Sequence, residues 1–146
     1  MGKVTGAFLI GVLFAVLPSG VYAQTTPLLL YGGSNQDVFL GCLNCNRYAS
    51  DSVCNRYGTF GSRYSAESIW NRYGLYGSRY SGTSPWNRYA SNPPVIVDRD
   101  GNFYRYFTAS RSRPNRTRNQ FFLAFLDNPN EVNSDLQQAR DLFCDP

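Results

Sequence analysis

The chain has 146 residues, 42% of them hydrophobic and 16% aromatic, with a formal net charge of +4. Histidine is absent, which excludes Ser-His and Cys-His nucleophilic catalysis and histidine-ligated zinc. The positive excess is mild: it permits a polyanion or an anionic cell surface as partner and does not demand one.

At the N-terminus, Lys3 precedes an apolar run from Ala7 to Leu17, and Val21-Tyr22-Ala23 places small residues where a signal peptidase cuts. Residues 1–23 are therefore expected to be a signal peptide cleaved after Ala23, giving a secreted or periplasmic protein. The apolar run is short for a membrane anchor, the alternative reading. Residues 24–146 suit a single domain with a modest core. Lys3 is the only lysine, so every cation in that domain is arginine.

Leu28-Leu-Leu-Tyr31 and Val38-Phe39-Leu40 flank a Gly- and Asn-containing turn and predict a β-hairpin. All four cysteines (Cys42, Cys45, Cys54, Cys144) follow the signal segment, and their even number in an exported chain predicts two disulfides. Three connectivities are open. Aligning the Cys-Asn-Arg-Tyr runs with Trp-Asn-Arg-Tyr puts Cys45 and Cys54 in the position of Trp70 and Trp86, which favours Cys45–Cys54 with Cys42–Cys144. Cys42-Leu-Asn-Cys45 has thiol-redox spacing but lacks the βαβ setting of a redox motif, so a structural disulfide is the better reading.

The middle of the chain is a tandem repeat. Cys54–Ile69 and Trp70–Pro85 are identical at ten of sixteen positions, and shorter versions flank them at Cys45–Val53 and Trp86–Asn92. A unit this small cannot bury its aromatic face alone, so stacking is expected over about 45–92. Ser65 as cap and Gly74 as terminator predict a short helix in the unit, and Ser84-Pro85 opens the next. Six Arg-Tyr pairs (Arg47-Tyr48, Arg56-Tyr57, Arg63-Tyr64, Arg72-Tyr73, Arg79-Tyr80, Arg88-Tyr89) resemble the alternation of single-strand nucleic-acid platforms. The simpler reading puts the tyrosines in the repeat core, with each arginine laid over its ring.

Residues 93–108 predict a second hairpin, with Val95-Ile-Val97 and Asn102–Phe107 joined at Asp98-Arg-Asp-Gly101. Asp98, Asp100 and Asn102 have the spacing that begins a calcium loop, but Phe103 and Ala109 stand where Gly and Glu belong, so a turn is favoured. Residues 109–119 read as an exposed basic loop carrying Arg111, Arg113, Arg116 and Arg118, the candidate binding residues. Asn115-Arg-Thr117 within it is a glycosylation sequon, relevant only in a host that glycosylates. Residues 120–144 read as helical: the apolar run Gln120–Leu126 is taken as a short helix, with a buried strand as the alternative, and Val132, Leu136, Ala139 and Phe143 then fall at helical spacing.

The stretch from Gly41 to Thr108 resembles a segment of uncharacterised exported bacterial proteins. It is carried by SAESIWNRYGLYGSRYS and by WNRYASNPPVIVDRDGNFYRYFT. Similar segments accompany secreted peptidase domains. The resemblance implies glycine where this chain has Arg105, and it implies no activity.

The expectation is a disulfide-stabilised α+β domain with two hairpins bracketing a helix-turn array and a C-terminal helix. It is read as a non-enzymatic binding or scaffolding protein for an anionic or glycan polymer or a cell-surface component, with no cofactor and no metal. Nucleic acid is disfavoured. The rival readings are an accessory or inhibitor of a secreted peptidase, and a hydrolase using carboxylates alone.

Overall fold

The computed structural model describes residues 25–146. The expected signal peptide and its cleavage site lie outside the described residues. Both hairpins form where the apolar runs place them. β1 (Leu29–Gly32) pairs antiparallel with β2 (Val38–Cys42), and β3 (Val95–Val97) with β4 (Phe103–Tyr106). They merge because β1 also pairs with β3, Leu30 opposite Ile96, giving one antiparallel sheet in the order β2-β1-β3-β4. Leu30, Leu40 and Ile96 are buried and form its contribution to the core.

Between β2 and β3 the expected short helices are absent, and the units are runs of tight turns. Backbone N–H groups of Ser68, Asn71 and Gly74 donate three residues back, to the carbonyls of Ser65, Ser68 and Asn71. Ser84, Asn87 and Ala90 repeat this one unit later. The cause is a Ser or Asn at every third position. Each side-chain oxygen accepts from the N–H two residues on: Ser68 from Trp70, Asn71 from Tyr73, Ser84 from Trp86, Asn87 from Tyr89, all within 3.2 Å. Ser65 does act as a cap, accepting from Glu67. The next capping residue comes three positions later, so the chain restarts a turn before a helical ladder can propagate.

One four-residue step per unit, Ser78 N–H to the Gly74 carbonyl, completes the 16-residue period. It folds the chain back over the preceding asparagine. A Cβ at Gly77 would overlap the Asn71 carbonyl, and one at Gly61 the Asn55 carbonyl. Glycine is required there for space.

This three-residue rhythm fixes the register of the flanks. Asn46 lies one period before Ser62, and Ser62 one period before Ser78, so Asn46-Arg47-Tyr48 matches Ser62-Arg63-Tyr64 and not Asn71-Arg72-Tyr73. Three coils result, beginning at Asn46, Ser62 and Ser78. Cys54 alone shares the column of Trp70 and Trp86; Cys45 falls in the column of Gly61 and Gly77.

That column is the core. Trp70 and Trp86 stack with ring centroids 5.5 Å apart and are almost wholly buried. Their indole N–H groups donate to Val53 and Ile69 carbonyls of the preceding coil, at 2.8 and 2.7 Å. Phe107 packs edge-on against Trp86, and Phe143 against Trp70. The first coil docks on β2 through Cys42 and Val53, and the third is closed by Ala109 donating to Pro85.

The C-terminal segment forms three helices: α1 (Gln120–Leu126), α2 (Pro129–Ser134) and α3 (Leu136–Cys144). Val132, Leu136, Ala139 and Phe143 are buried as their spacing implies. They do not belong to one helix, because Asp135 is extended and caps α3, accepting from Gln137 and Gln138. α2 and α3 run back along the coils. Asn133 donates to the Trp86 carbonyl, Gln137 to that of Trp70, and Arg140 to that of Gly61.

The disulfides are Cys42–Cys45 and Cys54–Cys144, correcting the pairing expected from the repeat alignment. The tryptophan column faces α3, so the cysteine in that column meets the cysteine of α3. Cys45, one column away, closes locally on Cys42. Among the described residues no helix is long and apolar enough to cross a membrane. The two disulfides are consistent with an exported protein.

Candidate functional site

Each coil turns one corner towards the C-terminal segment and two outward. The inward corners carry Val53-Cys54, Ile69-Trp70 and Pro85-Trp86. The outward corners carry the six Arg-Tyr pairs, in two columns sixteen residues apart: 47, 63, 79 and 56, 72, 88. The tyrosines therefore do not fill the repeat core. Tyr48, Tyr57, Tyr64, Tyr73, Tyr80 and Tyr89 are 81–91% exposed. The core is filled by Cys54, Trp70 and Trp86, one per coil, with Tyr76 and Phe60 at the opposite corner against the sheet.

The outward corners are held rigid although their side chains are free. In Asn71 and Asn87 the amide oxygen accepts from the tyrosine N–H, while the amide nitrogen donates to the carbonyl six residues back, both at about 3 Å. Both ends of the amide are thus consumed inside the coil. The arginines lie over their neighbouring rings, with guanidinium carbons 5.2 Å from Tyr64, 5.6 Å from Tyr73 and 5.5 Å from Tyr80. Each such contact at an exposed site contributes about 0.5–1 kcal/mol and leaves the second face of the ring open.

Charge is distributed unevenly along the array. In the first coil Arg47 pairs with Asp145 and Arg56 with Asp141, so the C-terminus neutralises that end. Arg63, Arg72, Arg79 and Arg88 make no ion pair among the described residues. Between successive Arg-Tyr pairs lie clefts of about 680, 300 and 460 Å³, spanning Tyr64–Tyr73, Tyr73–Tyr80 and Tyr80–Tyr89. Neighbouring clefts share their Arg-Tyr pairs, forming one groove. Asn133 of α2 and Gln137 of α3 stand along its other wall.

The basic loop meets the far end of this groove, and its four arginines separate. Arg111 and Arg113 line two further clefts with Arg88 and Tyr89. Arg113 also sits 4.4 Å over the Tyr106 ring, and a hydrogen bond from it lowers that phenol's pKa below the ordinary value. Arg116 is mostly buried, donating to the Thr108 carbonyl at 2.8 Å and pairing with Asp127 at 2.8 Å. It holds the loop to α1. Arg118 is exposed and lines none of these clefts.

Asp98 lies at the β3–β4 turn and accepts from the Asn102 side chain and backbone, the Asp100 N–H and the Tyr104 hydroxyl. Those bonds, Asn102 first, hold its carboxyl below the usual carboxylate range. Among the described residues no three acidic or cysteine side chains group as a metal site would require. The chain matches no family model, and comparison with curated proteins and with solved structures found no match.

Sequence reasoning identified the Arg-Tyr pairs but put the rings inside. The signal for the opposite orientation was the Ser/Asn rhythm of three. It makes every triplet the same turn and leaves only the outermost pair of side chains to distinguish corners.

Proposed function

We propose that the protein is a non-catalytic binding or scaffolding module that holds an extended anionic or glycan polymer along its Arg-Tyr array. The observation that carries this is the row of unpaired guanidiniums, Arg63, Arg72, Arg79 and Arg88, each beside a tyrosine more than four-fifths exposed. A rigid repeat presenting identical groups suits a repeating ligand, because each added ligand unit meets the same contacts without further ordering of the protein. Export through a signal peptide cleaved after Ala23 belongs to the same reading, with the polymer outside the cell or on its surface.

The array, rather than the 110s loop, is the principal surface in this reading. Replacing Arg63, Arg72, Arg79 and Arg88 together by Gln should abolish salt-sensitive retention on an immobilised anionic polymer, at about 1 kcal/mol or more per guanidinium. Replacing Arg111, Arg113 and Arg118 should weaken retention only partly. Arg116 is excluded from that set because its loss would unfasten the loop. Full retention by the array variant, with unchanged melting, would remove the proposal.

A further inference from the structure

We infer that the polymer is an acidic polysaccharide whose sugar units carry carboxylate or sulfate groups, seated in the clefts from Tyr64 to Tyr89. This rests on the array being the binding surface. The charge argument is local. Two aspartates at the C-terminus pair with the arginines of the first coil, whereas Arg63, Arg72, Arg79 and Arg88 form no ion pair among the described residues, and Asp135 is the one acid lining the clefts from Tyr64 to Tyr89. The cations are all guanidiniums, whose planar fork matches a carboxylate or sulfate edge.

One feature favours a sugar polymer over a nucleic acid. Arg63, Arg72 and Arg79 each cover one face of the tyrosine that follows. Each of those rings is left one open face, which suits the apolar side of a single pyranose better than a run of stacked bases.

The test is binding of the disulfide-intact protein to three probes at fixed low salt: polygalacturonate, its carboxyl-reduced form, and single-stranded oligothymidylate of matched charge. Polygalacturonate should bind about tenfold or more tighter than either comparator, and Arg72→Gln/Arg79→Gln should lose about tenfold with melting unchanged. Affinity for galacturonate oligomers should rise with length until the groove is filled. Equal or tighter oligothymidylate binding overturns the polysaccharide assignment while leaving the array as the binding surface. Equal binding of the reduced polymer overturns the requirement for acid groups. Failure of all three probes overturns both this assignment and the array reading.

Discussion

At the scale of single residues, the asparagine of each Asn-Arg-Tyr outward corner explains how an exposed corner stays ordered. Asn71 bonds forward to Tyr73 and back to Ser65, so one amide ties two turns together. Asn71→Ala should destabilise the protein by about 1–3 kcal/mol in urea denaturation, since it strands a backbone donor and an acceptor. Arg105 is the opposite case. Its φ of 149° lies in a region that glycine favours, at the irregularity in the β3–β4 pairing. Glycine is also what the resemblance implied at that position. Arg105→Gly should raise stability by about 1 kcal/mol, read as a higher denaturation midpoint at unchanged slope.

At the scale of elements, competition between side chain and backbone decides what the repeat becomes. Capping residues were legible in the sequence, and a helix beginning at Ser65 followed from them. The recurrence of capping every third residue turns that inference around, because each Ser or Asn offers the next N–H a partner before the helix does. The β3–β4 hairpin was readable outright, since Asp98-Arg-Asp-Gly101 carries its own turn chemistry. It also carries an acid sensitivity. Hydrogen bonds lower the folded pKa of Asp98, so the stabilisation is complete above the ordinary carboxylate range and is lost as pH falls through the lower, folded value. Urea midpoints measured below about pH 4 should fall less steeply in Asp98→Asn than in the parent. Identical acid limbs would show that Asp98 contributes nothing there.

At the scale of the whole molecule, the C-terminal helices act as a strap across the coils. Asn133, Gln137 and Arg140 meet backbone carbonyls of the third coil, the second, and the first–second junction in turn, and Cys144 locks the first. The Cys54–Cys144 bridge spans 90 residues, whereas Cys42–Cys45 spans three. In the chain-entropy account the long bridge contributes about 4–5 kcal/mol before strain. Replacing Cys54 and Cys144 by Ala should therefore lower unfolding free energy far more than replacing Cys42 and Cys45. Comparable losses from the two double variants would mean that the strap is held by packing alone. The strap covers the tryptophan side of the coils and leaves the tyrosines of the Arg-Tyr corners exposed.

By itself the sequence determined the hairpins, the buried positions of the C-terminal helices, the 16-residue period and the presence of two disulfides. Each of these depends on local spacing, turn chemistry or an even number of cysteines. Tertiary structure decided the cysteine partners, the break at Asp135 and the direction of every tyrosine. Those depend on which corner of a coil faces the sheet and the strap, and a short repeat with aromatics at several corners satisfies more than one choice until its neighbours are in place. Only one corner per coil can be roofed by α3. In the second and third coils tryptophan, with a large apolar surface and an indole N–H that reaches the preceding coil, takes it; in the first Cys54 does, and the tyrosines of the Arg-Tyr pairs are left to the solvent.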